Sequence, residues 1–350
     1  MATMAMTCAG GMVAIVLTII IATLVLLKMQ DSSKNKLSYN KNHTGAKRIY
    51  LSLHEGGFVC PLNLGDGKRA ILFLLDTGFA GVPILNRNHS STAPPTGCTL
   101  ADDTFAFSLA SLGRVQGHVA EQMTCAMQLD NIVDDDQYHQ RFLLMDLDES
   151  IPHILTIDFL LSWGGSTTLE LGGGSPRVTM GLQSHPMGIE VKTRKINGAY
   201  AIRLSILDID GDILGDGWFI IDTGSPAPLT IGKSFGETLN IRGRHQSQKE
   251  RFIKQIGVNR ESICSLVSPQ VIAQVSESSL HMSTPLLIND GDTHGSDGYI
   301  GLGMLTRWRS VTFHRAMDRD ISVHIDAPGD VGDILQADTR LIDDAMRESC

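Results

Sequence analysis

Apolar residues gather in short runs, separated by stretches rich in glycine, aspartate and serine. Ile71-Leu72-Phe73-Leu74-Leu75 ends at Asp76, and Trp218-Phe219-Ile220-Ile221 ends at Asp222. Runs this short, bounded by turn formers, predict buried strands rather than helices. Long helical periodicity is scarce and 35 of the 350 residues are glycine, so the pattern predicts an all-β chain with many turns. The exception is Ala9 to Leu27, nearly all apolar, with no charged residue before Lys28. At a rise of about 1.5 Å per residue this segment covers about 28 Å, enough for a bilayer core.

Both strand ends carry the same tripeptide, Asp76-Thr77-Gly78 and Asp222-Thr223-Gly224. By composition that tripeptide arises at roughly one position in a few thousand, so two copies behind two apolar runs call for a common cause. The copies belong to a longer repeat. Ile154-Leu155-Thr156-Ile157-Asp158-Phe159-Leu160-Leu161-Ser162-Trp163 matches Tyr299-Ile300-Gly301-Leu302-Gly303-Met304-Leu305-Thr306-Arg307-Trp308. The offsets agree, 222 − 76 = 146 and 308 − 163 = 145. Each copy continues into an expected hairpin: Ser166–Glu170 with Arg177–Met180, and Ser310–His314 with Ile321–Ile325. Upstream, Gly57–Leu62 matches Ala199–Leu204. A repeat of this length predicts two domains of one design, each presenting one carboxylate at a tight turn. Face to face, two such carboxylates can share a proton and activate a water.

On these residues the chain resembles the aspartic proteases, the pepsin and retropepsin clan, over about residues 47–326. The resemblance implies a bilobal acid-protease fold: two homologous β-barrel-like lobes with pseudo-twofold symmetry, in a compact single-chain form. It implies catalytic roles for Asp76 and Asp222. Thr77 and Thr223 would brace the two loops across the interface, and Gly78 and Gly224 would let backbone N–H groups approach the carboxylates. Ser225 would support the second aspartate with its hydroxyl. A peptide or protein substrate would lie between the lobes under a hairpin flap. The first flap is expected over Phe105–Ser108 and Val115–Val119, turning near Leu112-Gly113; its counterpart is expected over about Ser262–Ser276.

Two residues depart from the family pattern. Phe79 stands where the family has a small or hydroxylated residue, and Thr156 stands where the motif has glycine. Phe79 is expected to crowd the turn and to donate no hydrogen bond to Asp76. These departures motivate a second reading, a peptide-binding protein that kept the fold and lost turnover. A third reading treats the tripeptides as ordinary turns and predicts that the two carboxylates never meet.

The chain divides into an anchor (1–28, membrane contact through residues 9–27), a polar tether (29–46), lobe 1 (47–185), lobe 2 (186–326) and an acidic tail (327–350), with residues 182–198 read as the connection between lobes. The segment lacks the basic start and small-residue cleavage site of a signal peptide, so the expectation is an uncleaved, single-pass membrane anchor. Lys28, Lys34, Lys36, Lys41, Lys47 and Arg48 follow it, which favours a cytosolic catalytic part. Asn42-His43-Thr44 and Asn88-His89-Ser90 are glycosylation acceptors in form and argue the other way. Six cysteines without a C-x-x-C pair read as buried or free thiols.

The net charge of −9 argues against a nucleic-acid surface. No histidine spacing suits a metal and the resemblance implies no cofactor. Asp208-Ile209-Asp210-Gly211-Asp212 departs from a calcium loop, with glycine at the fourth place and Phe219 at the twelfth, and reads as a hairpin turn. A chain carrying both halves of the site is expected to act as a monomer.

Overall fold

The computed structural model describes residues 46–54, 56–64, 70–89, 98–111, 114–128, 138–149, 151–181, 186–239, 251–256, 262–289, 293, 295–315 and 320–327. The apolar segment Ala9–Leu27, the tether through residue 45 and the tail from residue 328 lie outside them. Among the described residues no helix is long and apolar enough to cross a membrane.

Strands dominate, with three short helices among the described residues. The first half holds β1 (Lys47–Tyr50), β2 (Ser52–His54), β3 (Gly57–Leu64), β4 (Ala70–Asp76), β5 (Ile84–Asn86), β6 (Cys98–Ser111), β7 (Arg114–Gln128), β8 (Tyr138–Met145), β9 (His153–Thr156), α1 (Ile157–Ser162), β10 (Ser166–Glu170) and β11 (Arg177–Met180). The second half holds β12 (Ile189–Val191), β13 (Thr193–Ile196), β14 (Ala199–Leu207), β15 (Ile213–Ile221), β16 (Leu229–Gly232), α2 (Lys233–Thr238), β17 (Arg251–Ile256), β18 (Ser262–Val275), β19 (His281–Asn289), β20 (Gly298–Ile300), α3 (Leu302–Leu305), β21 (Ser310–Arg315) and β22 (Ile321–Asp326).

The repeat in sequence is a repeat in topology. One eight-stranded sheet runs β2-β3-β4-β9-β5-β8-β7-β6 and the other β13-β14-β15-β20-β16-β19-β18-β17, the same order position for position. In each, a long flap strand also pairs back onto the strand that opens the lobe, β7 on β3 and β18 on β14, which partly closes the sheet. A third sheet, β1-β11-β10-β21-β22-β12, takes three strands from each half. Its two central strands pair antiparallel with Thr168 opposite Thr312, hydroxyls 3.0 Å apart. The pairs on either side, Thr167↔Phe313 and Leu169↔Val311, exchange under a twofold rotation. The pseudo-twofold axis therefore passes between these two threonines.

Alternation along the strands fills the core. Phe73 and Leu75 of β4 are buried, as are Phe219 and Ile221 of β15, and they join one apolar cluster that extends through both halves. Each such side chain contributes about 2–3 kcal/mol by leaving water. The first run is less buried than its composition suggests: Leu72 is 48% exposed, because it points to the opposite face of β4.

The expected hairpins form as β10–β11 and β21–β22. In the first flap Ser111 pairs with Arg114, and the expected turn at Leu112-Gly113 lies outside the described residues. Its counterpart is built from β17 and β18, not from Ser262–Ser276 alone. Residues 182–198, read as the connection between lobes, contain β12 and β13. These strands are three and four residues long and partly exposed, so they lack the apolar run that marks the others. The Asp208–Asp212 segment is a hairpin turn, with the Asp208 carboxylate accepting the N–H groups of Asp210 and Asp212.

Cysteine departs from expectation. Cys98 and Cys125 face each other across β6 and β7 and form a disulfide. Cys60 is a free, buried thiol, and burial pushes it up to about 12.

Candidate active site

Two parallel strand pairs build the site. β4 runs beside β9, with Asp76 level with Thr156, and β15 runs beside β20, with Ile221 level with Ile300. Each acidic residue thus stands at the end of a strand gripped on both sides, and its side chain inherits the rigidity of a sheet interior.

The loops beyond those strands meet across the pseudo-twofold axis. The N–H of Thr77 donates to the Thr223 hydroxyl at 3.1 Å, and the N–H of Thr223 donates to the Thr77 hydroxyl at 3.1 Å. The hydroxyls then donate onward, Thr77 to the carbonyl of Ile221 (2.8 Å) and Thr223 to that of Leu75 (2.6 Å). Both threonines are fully buried. Both N–H groups and both hydroxyls of the pair are satisfied, so the network is rigid.

This brace brings the two carboxyls together. Asp76 and Asp222 share a side-chain hydrogen bond, so the reading of the tripeptides as unrelated turns is overturned. A Cβ on Gly78 would fall 2.6 Å from Cγ of Asp222, and one on Gly224 would fall 2.9 Å from Cγ of Asp76. Only glycine permits this approach, and each glycine serves the aspartate of the opposite half.

Asp76 and Asp222 are closely surrounded by protein atoms but keep part of their surface open. Burial raises both above the ordinary carboxylate range. Asp76 is held back by N–H groups of Phe79 and Gly78 and by the hydrogen bond from Asp222. Asp222 goes well above, through burial first and the neighbouring Asp76 charge second, against N–H groups of Gly224 and Ser225. Two carboxyls this close, both raised, share one proton and titrate as a unit.

Ser225 was expected to offer its hydroxyl to Asp222, but the hydroxyl lies towards Gly301, and its N–H donates to the Asp222 backbone carbonyl at 3.3 Å while also favouring the ionised carboxyl. Phe79 was expected to crowd the turn. Its ring instead packs beside Ile84, Ala120, Met145, Leu147 and Ile154, and its N–H donates to Asp76 Oδ1 at 3.0 Å. The missing hydroxyl of lobe 1 is replaced by main chain.

Thr156 is accommodated as well. In lobe 2 a Cβ at Gly301 would strike the carbonyl of Ala227 at 2.0 Å. The residue equivalent to Ala227 is Gly81 (227 − 146 = 81), with φ +92°, and its carbonyl accepts the Thr156 hydroxyl at 2.6 Å. The side chain that would have clashed is hydrogen-bonded instead, and it also caps α1 by accepting the N–H of Phe159.

Sequence reasoning missed Asp158. Its Oδ2 accepts the N–H of Gly81 at 2.9 Å, and its Oδ1 accepts the hydroxyl of Tyr200, from the other half, at 3.0 Å. The available signal was an aspartate inside an apolar run where the second copy has Gly303.

Among solved structures the chain is similar to the aspartic proteinase from Irpex lacteus, with a TM-score of 0.52 and 13% identity over 81% of this chain and 98% of that one. That likeness establishes a shared fold. No family model matches the chain, and no curated protein matches it.

Proposed function

We propose that the chain is an aspartic-type endopeptidase that hydrolyses peptide bonds with a water activated between Asp76 and Asp222. The observation that carries the reading is the hydrogen bond between two carboxyls, one from each half, both raised by the desolvation of the site. Such a pair has little structural benefit: two buried carboxyls side by side cost stability, and that cost marks a functional site.

Ionised Asp76 takes a proton from the water as the water oxygen bonds the peptide carbonyl carbon. Protonated Asp222 donates to the carbonyl oxygen, giving a neutral tetrahedral diol. Collapse returns a proton to the leaving nitrogen and breaks the C–N bond, without a covalent enzyme intermediate. The substrate backbone lies extended under the flap hairpins and is held by strand-like hydrogen bonds. The chain works as a monomer, since it supplies both halves of the site.

The alternative of a binding-only protein rested on Phe79 and Thr156. Phe79 keeps a donor on Asp76 through its N–H, and Thr156 is satisfied by Gly81, so neither residue now favours it.

We further propose that Ala9–Leu27 tethers the enzyme to a membrane, on the strength of its length and lack of charge. The disulfide supports an oxidising compartment for the lobes, against the cytosolic side favoured by the basic flank. Asn88 is exposed, and its side chain donates to the carbonyl of Leu147 at 2.8 Å. Cleavage of a mixed peptide library across acidic to neutral pH, with and without a statine-type inhibitor, tests the activity. Inhibitor-sensitive cutting is the expected result; uncut peptides at every pH would refute it.

A further inference from the structure

The two halves hold their aspartate loops by different chemistry. In lobe 2 the end of the loop after Asp222 is held to the following strand and helix by main chain: the N–H of Gly301 donates to the carbonyl of Pro228 at 3.1 Å and that of Leu302 to Ser225 at 2.8 Å. The residue equivalent to Asp158 there is Gly303 (158 + 145 = 303), whose Cβ would fall 3.1 Å from Pro228. Lobe 1 has side chains in these places. Thr156 holds the carbonyl of Gly81 and Asp158 holds its N–H, so both polar groups of one residue are fixed by the start of α1. Gly81 closes the loop that begins at Asp76 and includes Phe79, the N–H donor to Asp76.

Asp158 also reaches across the interface. Its Oδ1 accepts the Tyr200 hydroxyl, and Lys195 Nζ lies 3.5 Å from the same oxygen. Tyr200 is only 1% exposed; Lys195 lies over its ring at 4.6 Å, and Arg315 faces the hydroxyl from β21. The β13–β14 turn that carries these groups has Asn197 at φ +50° and Gly198 at φ +89°, and a Cβ on Gly198 would meet that of Ala80 at 2.7 Å. One half-buried carboxylate therefore joins the Asp76 loop to the opposite half.

We propose that Asp158 is a positioning residue for the peptidase site: it fixes the Asp76 loop through Gly81 and ties that loop to lobe 2 through Tyr200 and Lys195. The proposal rests on the peptidase reading for its kinetic consequence and on this geometry alone for its structural one. The equivalent positions of lobe 2, Gly301 and Gly303, carry no side chain for such a tie, so the Asp76 loop depends on an ionisable side chain at a place where the Asp222 loop has none.

The test compares the full chain with Asp158→Ala, Asp158→Asn and Tyr200→Phe, alongside Arg177→Ala, which breaks the Glu170–Arg177 ion pair of the β10–β11 hairpin. Displacing a reacting group by about an ångström costs up to about a hundredfold in rate. Asp158→Ala is expected to lower kcat about tenfold to a hundredfold with KM within about twofold, because substrate contacts are untouched. Asp158→Asn, whose amide oxygen can still accept the Gly81 N–H, recovers most of that loss. Tyr200→Phe costs less than Asp158→Ala, and Arg177→Ala leaves kcat unchanged. Carbon-13 titration of the aspartyl carboxyls, assigned with Asp76→Asn and Asp222→Asn, gives a readout independent of turnover. In Asp158→Ala the lower step of the pair moves up by about one pH unit as the Asp76 loop loses its N–H donor. An unchanged titration, or a lower melting temperature with kcat intact, overturns the proposal. A parent chain that cuts no peptide defeats the peptidase reading instead, and the titration then decides Asp158 by itself.

Discussion

Thr77 and Thr223 exchange hydrogen bonds across the interface, each backbone N–H donating to the other's hydroxyl at 3.1 Å. The two residues are 146 positions apart and fully buried. Neither loop has a complete set of partners without the other, so the closing of the interface and the meeting of Asp76 with Asp222 are one event.

Thr223→Val keeps the shape but strands the Thr77 N–H and the Leu75 carbonyl. Urea unfolding should show a loss of about 1–3 kcal/mol. The double variant with Thr77→Val should cost less than the sum of the singles, because both belong to one network.

Gly224→Ala places a methyl 2.9 Å from Asp76 Cγ, whereas Gly174→Ala adds one in open space. Peptide cleavage should fall about a hundredfold in the first and stay at the parent level in the second. Equal activities would mean that the carboxyls do not need this approach.

The disulfide closes 27 residues of chain between Cys98 and Cys125. Chain entropy assigns such a loop about 3–4 kcal/mol. Cys98→Ser/Cys125→Ser should lower stability by about that much, and mass spectrometry of the unreduced protein should find the bond.

Stability should respond to pH through two groups of opposite sign. Asp222 is raised in the folded state, so its protonation favours folding below the ordinary aspartate range and that contribution is lost as pH rises through the raised value. Asp222→Asn removes the loss and should make the protein more stable than the parent at neutral pH, with the difference vanishing in acid. His153 is buried, accepts the Asn86 N–H at 3.0 Å, and is lowered to about 4, by burial first and by His89 second. It withdraws stability as pH falls from 6.5 to about 4, on the order of 3 kcal/mol. Chemical unfolding across pH 3–8 in the parent, Asp222→Asn and His153→Gln separates the two.

The pair of aspartates was legible because each follows an apolar run and opens a turn tripeptide, all within one local window. The common strand order was legible through the offset of 146, since equal sequence patterns fold into equal sheets. What stayed hidden depends on partners distant in the chain or on main chain. Cys98 meets Cys125 only through the register of two long strands, which shifts between Leu100 and Thr104. Phe79 and Ser225 act through N–H groups, which every residue but proline carries and which no side-chain motif reports. Asp158 gains its meaning from Gly81 and Tyr200, 77 and 42 positions away.

The most direct measurement is peptide cleavage by Asp76→Asn and Asp222→Asn beside the parent, with folding checked by circular dichroism. Each single substitution removes either the base or the acid of a shared-proton pair, so each should lower kcat by at least about a hundredfold while leaving the fold intact. Parent-level cleavage by either folded variant would contradict the account.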